Sequence, residues 1–221
     1  MLDKRVKFAL DNFLNLEPAN RSYKILFSEL SYQMSEQGEG KACLIFYVGT
    51  DNNLCVTNCD KLPMWTILKE VGELTIRKCV DHFVLRKNSN HWELHMIEMK
   101  RTINRSNWYH VKEKVRASYF MIKALSVFLG FSFRDEDIFV YTAYGYDKIS
   151  PMNDGTSIRL PTGERLINYV DEWKSGSIYV KLVDFNGEEN PVEFSHTPIK
   201  LTEAEDGCLK GSFSLSCLVN C

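Results

Sequence analysis

The stretch from Lys78 to Lys100 constrains the fold most. It reads Lys-Cys-Val-Asp-His-Phe-Val-Leu-Arg, then a polar Lys-Asn-Ser-Asn, then His-Trp-Glu-Leu-His-Met-Ile-Glu-Met-Lys. Two runs of strand formers around a polar break predict a β-hairpin. Side chains alternate along a strand, so Trp92, Leu94, Met96, Glu98 and Lys100 share one face. Asp81, Phe83 and Leu85 likewise share one face of the first strand. With residues 87–90 as the turn, Leu85 is expected opposite Trp92, Phe83 opposite Leu94 and Asp81 opposite Met96. The apolar sets then meet, which fixes register in a half-buried hairpin. Glu98 becomes the diagonal neighbour of Asp81, roughly 7–8 Å away. A slip of one residue would carry Asp81 to the other face, against the apolar pattern. Ile97 and Met99 alternate onto the far side, where they would anchor the strand.

Two carboxylates and a lysine at one edge of a hairpin suit a hard divalent cation and an activated water. Magnesium takes oxygen ligands and keeps several waters, so two or three carboxylates suffice when a substrate phosphate supplies the rest. Such an ion polarises the phosphate and lowers the pKa of bound water. By itself Glu-x-Lys is a pair of solvated neighbours, and its weight here comes from agreement with the strand pattern. No Ser-His-Asp or Cys-His arrangement and no glycine-rich phosphate loop offers a competing chemistry.

The rest of the chain frames that hairpin. Val6, Ala9, Leu10, Phe13 and Leu14 fall at helical spacing over Asp3–Leu16, and Pro18 ends the run. A second helix is expected from Asn20 or Ser22 to Ser35, stopped at Gly38. Ala42–Val48 and Leu54–Asn58 read as strands, and Pro63–Val71 as a short helix. An amphipathic helix is expected over Asn107–Leu129, capped by Gly130, followed by a strand over Ile138–Tyr144. From Ser150 the character changes, with a loop, a helix over Glu164–Trp173, and strands over Ile178–Phe185 and Pro191–Phe194. The fold expected is α/β, a mixed central sheet flanked by helices, with residues 1–149 as core and 150–221 as a β-rich C-terminal extension.

A net charge of −2 gives no global attraction to nucleic acid, so any such contact must be local. Arg101, Arg105, Lys112 and Arg116 are the expected phosphate contacts, with Trp108 and Tyr109 among them for stacking. No N-terminal signal or membrane span is visible, and seven cysteines favour reduced thiols in a cytoplasm. The pairs Cys55/Cys59 and Cys217/Cys221 lack the tight spacing of common zinc sites, and buried small hydrophobes are the simpler role.

An acid on the second core strand, Glu98-x-Lys100 on the third, then a basic amphipathic helix and a further strand: this order, over roughly Ser22 to Tyr144, resembles the PD-(D/E)XK nuclease superfamily, with its restriction-endonuclease-like core. Val80 stands where the eponymous proline would be. The resemblance implies a nuclease that hydrolyses phosphodiester bonds with Mg2+ or Mn2+. Asp81 and Glu98 would bind the metal, Lys100 would be the catalytic lysine, and Glu29, from a first core helix, would be a further ligand, with Glu36 as its substitute. Nucleic acid, DNA ahead of RNA, is the implied partner, and a homodimer would be needed to cut two strands together. The alternative is a catalytically inactive member that binds nucleic acid or protein.

Overall fold

The computed structural model describes residues 4, 7, 8, 24–36, 41–59, 78–152, 168–183 and 189–215. These form an α/β structure, mostly sheet. The strands are β1 (Lys24–Phe27), β2 (Ser31–Glu36), β3 (Ala42–Tyr47), β4 (Asn53–Thr57), β5 (His82–Asn88) and β6 (His91–Ile103). Helix α1 (Arg105–Leu129) precedes β7 (Ile138–Asp147), and α2 (Tyr169–Ser175) precedes β8 (Ser177–Val183). The chain continues with β9 (Glu189–Lys200), β10 (Thr202–Glu203) and β11 (Leu209–Ser214).

Two sheets result. The larger is mixed, in the order β1-β4-β5-β6-β7-β9-β8, and the smaller runs β10-β11-β3-β2. Strands β4, β5 and β6 form an antiparallel meander, and α1 then carries the chain back so that β7 lies parallel to β6. Strands from the 150–221 segment pair with earlier ones in both sheets: β9 with β7, and β11 with β3.

The large sheet is covered on both faces. Phe83, Leu85, Leu94 and Met96 join Trp108, Val111, Val115 and Ile122 of α1 in one core. Val84, Ile97 and Met99 face the smaller sheet and meet Leu44, Phe46 and Leu209 there. The hairpin is therefore buried on both sides rather than half-buried. Helix α1 is held at its ends by Asn104, whose side chain accepts from the Asn107 N–H, and by Gly130 at φ 70°.

Three expectations are corrected. The helix expected over residues 22–35 is instead β1 and β2, with Ser28 at φ 61° in the bend between them. Tyr32 and Met34 alternate into the core at period two, a strand signature. The hairpin turn is tighter than residues 87–90: Asn88 pairs with His91, Leu85 with Leu94 and Phe83 with Met96. Pairing is thus shifted by two residues, which preserves the faces. Helix α2 begins at Tyr169, after residues 153–167, which lie outside the described ones. The helix expected over residues 63–71 also falls outside them, as does most of that over residues 3–16. Among the described residues, no helix is long and apolar enough to cross a membrane.

Candidate metal and phosphodiester site

The two-residue shift brings the acids closer than the diagonal arrangement would. Continuing the observed register by one position past His82 and Ile97 sets Asp81 directly opposite Glu98. Directly opposed residues have Cβ atoms about 4.5–5.5 Å apart. The Asp81 N–H donates to Glu98 Oε2 at 3.2 Å, and the Met99 N–H donates to Asp81 Oδ2 at 2.8 Å. Each acid is thereby fixed by a backbone amide. Asp81 is held from outside as well, since its carbonyl accepts from the Cys59 N–H at 2.9 Å.

The remaining oxygens meet lysines. Lys114 Nζ, from α1, lies 2.8 Å from Asp81 Oδ1 and 2.7 Å from Glu98 Oε1. Lys100 Nζ lies 2.5 Å from the same Glu98 oxygen. Asp81, Glu98 and Lys100 therefore converge as the sequence predicts, and Lys114 joins them. The signal for Lys114 is its place at the border of the apolar stripe: Val111, Val115 and Ser118 are its i−3, i+1 and i+4 neighbours, all buried. A charge at that border needs a buried partner.

Burial raises the Glu98 pKa to about 7, with the Asp81 charge adding to it, against the opposing pull of Lys114 and Lys100. Burial acts on Asp81 in the same sense, but the Lys114 and Lys100 ammoniums outweigh it and hold the carboxyl below its ordinary value. Lys114, despite its burial, is pushed up by the two carboxylates. With Glu98 ionised, two negative and two positive charges balance in a site closed to water at Glu98 and open at Lys100 and Lys114.

The donor set suits a hard cation, since oxygens from two separate segments converge on one positively charged atom, here an ammonium. Among the described residues no group of three or more His, Cys, Asp or Glu side chains could hold a metal, so the protein's share of the ligation would be these two carboxylates. Glu29 is not a third. It lies exposed in the β1–β2 bend, where its carbonyl accepts from Asn53 Nδ2. Asn53 stands opposite Arg86, four positions along β5 from His82 and so roughly 13 Å from the acids' end. Its substitute Glu36 closes β2, in the other sheet.

The four basic residues expected on phosphate do not surround the acids. Lys112 and Lys114 are two residues, hence about 200°, apart on the helix and flank the buried stripe on opposite sides. Lys112 Nζ is 2.6 Å from Glu172 Oε1, and Trp108 Nε1 donates to the other oxygen of that buried acid at 2.6 Å. Arg105 and Arg116 lie on the Lys112 flank by the same spacing. Arg105 is exposed and stacks over Tyr109 and Tyr169, while Arg116 is half-buried. Arg101 is engaged by Glu203 at 3.2 Å.

A second polar network lies on the opposite face of the hairpin. Glu93 accepts from Arg86 Nε at 2.8 Å and from Asn88 Nδ2 at 2.7 Å. His95 bridges Glu93 and the Tyr141 hydroxyl at 3.2 and 3.0 Å, and burial keeps it neutral. The carboxylate can only accept, so His95 Nε2 carries the proton and Nδ1 accepts from Tyr141. The network faces the smaller sheet: Arg86 Nη1 donates to the Val48 carbonyl just past β3 at 3.2 Å, and His95 lies beside Phe46 of β3. No family model, curated protein or solved structure matches the chain.

Proposed function

We propose that the protein is a divalent-metal-dependent nuclease of the PD-(D/E)XK type. The observation that carries this reading is the convergence of Asp81 Oδ1 and Glu98 Oε1 on one cation, with Lys100 on the same glutamate oxygen. The order β4-β5-β6-α1-β7, an antiparallel meander followed by a helical crossover to a parallel strand, supports a restriction-endonuclease-like core around it.

Asp81 and Glu98 would hold Mg2+ or Mn2+, which would polarise the scissile phosphate and acidify a water. The residues' own tasks follow from their surroundings. Glu98 is fully buried and tied to the Asp81 amide, and Asp81 is fixed by the Met99 amide, so the two acids hold their spacing without reorganisation. Lys100 reaches solvent beside Glu98 and would hydrogen-bond and orient the attacking water. Arg105, exposed beside Tyr109, is available to a more distant phosphate. The substrate is nucleic acid, DNA ahead of RNA, with a homodimer required for concerted cutting of two strands. A cytoplasmic setting suits Cys55, Cys59 and Cys79, which are free thiols.

One observation favours a second reading. Every carboxylate oxygen of the pair already has a partner within the protein, which is how a silent member that merely binds nucleic acid or protein would be built. Cleavage separates the two. Plasmid and single-stranded substrates are incubated with Mg2+ or Mn2+ and wild type, Asp81→Ala or Lys100→Ala. Metal-dependent cutting that falls by about 100-fold or more in each variant is expected. Activity surviving both substitutions, or none in the wild type, would remove the proposed enzyme.

A further inference from the structure

We infer that Lys114 is the site's own resident cation: its ammonium holds the metal seat and must withdraw when a divalent ion loads. This rests on the nuclease reading and concerns how that site is regulated. Lys114 Nζ is the atom both acids share, at 2.8 Å from Asp81 Oδ1 and 2.7 Å from Glu98 Oε1, whereas Lys100 pairs with Glu98 alone. A divalent ion needs the same two oxygens, so ammonium and metal are mutually exclusive there.

The groups around the seat decide which one moves. Asp81 Oδ2 and Glu98 Oε2 are tied to backbone amides, so the acids keep their spacing whichever cation lies between them. The Glu98 side chain is 0% exposed and the Lys114 side chain 18%. The lysine can therefore swing outward on its flexible stem and rehydrate, and the carboxylate cannot. Once outside, the ammonium stands at the rim of the site, where an incoming phosphate would favour the withdrawn position. Metal and anionic substrate would then promote each other's binding, as linkage requires.

Mn2+ binding to the metal-stripped full-length protein, followed by electron paramagnetic resonance and calorimetry without substrate, tests this directly. Wild type is compared with Lys114→Met and with Lys100→Met, which removes a neighbouring charge but leaves the seat held. Lys114→Met should bind Mn2+ at least about tenfold more tightly than wild type, a difference of about 1.4 kcal/mol, and more tightly than Lys100→Met. Equal or weaker binding by Lys114→Met, or an equal gain in Lys100→Met, overturns the inference. If Lys114→Met does not fold, Lys114→Gln carries the same expectation, because it keeps a donor to Asp81 without the charge. Metal-dependent cutting by wild type with no gain in the variant would defeat the inference alone. No Mn2+ binding by any of these proteins, together with no cleavage, would defeat the nuclease reading beneath it.

Discussion

The residue before Asp81 shows how one backbone amide can aim a side chain. Val80 and Ser118 are both fully buried, and the Val80 N–H donates to Ser118 Oγ at 2.9 Å. That bond pins the approach to β5 against α1, the helix that carries Lys114. A proline, which the proposed family often has at this place, carries no N–H and would leave the Ser118 hydroxyl without its donor. A residue with a backbone N–H is therefore what this contact requires. Val80→Pro is expected to cost roughly 1–3 kcal/mol, the penalty of a buried polar group left unsatisfied, and to loosen Asp81. Urea unfolding measures the first effect and metal-dependent cleavage the second. A variant as stable and active as wild type would show that the bond does not position the acid. The three residues of the proposed motif were legible in the sequence because alternation alone puts them on one face. Lys114 reads in the sequence as no more than one further basic residue of the helix expected over Asn107–Leu129, since its role depends on which strand the helix crosses.

At the scale of elements, close approach between the sheets decides what a strand can carry. Gly145 of β7 lies where β6, β7 and β11 crowd together. A Cβ there would stand 2.5 Å from Leu209 Cδ1 and 2.9 Å from the Arg101 carbonyl oxygen. The leucine can turn, but the carbonyl belongs to the β6 backbone. Gly145→Ala should therefore destabilise by roughly 1–3 kcal/mol through overpacking, seen as a lower urea midpoint. An unchanged midpoint would mean that β6 yields at its end. The same crowding is invisible in the sequence, where Gly145 is one residue in a run of good strand formers. The strands around it were legible: β3, β4, β6, β7 and α1 lie close to where propensity and period put them. Strands β1 and β2 were not, because Leu26, Leu30 and Met34 recur at i, i+4 and i+8, which also fits a helical spacing. Pairing of β1 with β4 and of β2 with β3 decides between the two, and that is tertiary information. The hairpin register was off by two because Ser89, at φ 54°, permits a tighter turn than a four-residue polar run suggests.

At the scale of the whole molecule, the buried titratable groups pull stability in opposite directions as the solution is acidified. His196 is enclosed by Trp108 and Trp173 and donates to or accepts from Thr142, and burial lowers its pKa to about 3. The unfolded chain takes up that proton near its ordinary 6.5, so His196 costs stability progressively from about pH 6.5 down to 3. Glu98 has the opposite sign. Its folded pKa of about 7 lies above the ordinary 4.5, so between those values the folded state binds the extra proton and gains stability as pH falls. Glu93 takes over below that window. Burial would raise it, but hydrogen bonds from His95 and Asn88 and the Arg86 charge hold it down to about 2. Its contribution is complete above about 4.5 and is lost as pH falls towards 2. The thermal midpoint should therefore fall only gently from pH 7 to about 5, where Glu98 opposes the two buried neutral histidines His95 and His196, and fall steeply below 4.5. Glu93→Gln should be less stable than wild type at pH 7, by roughly 1–2 kcal/mol after solvent screening, and should show a shallower acid limb. Midpoints recorded across that range for both proteins would test the assignment. Parallel acid limbs would show that the junction between the sheets does not depend on the charge of Glu93.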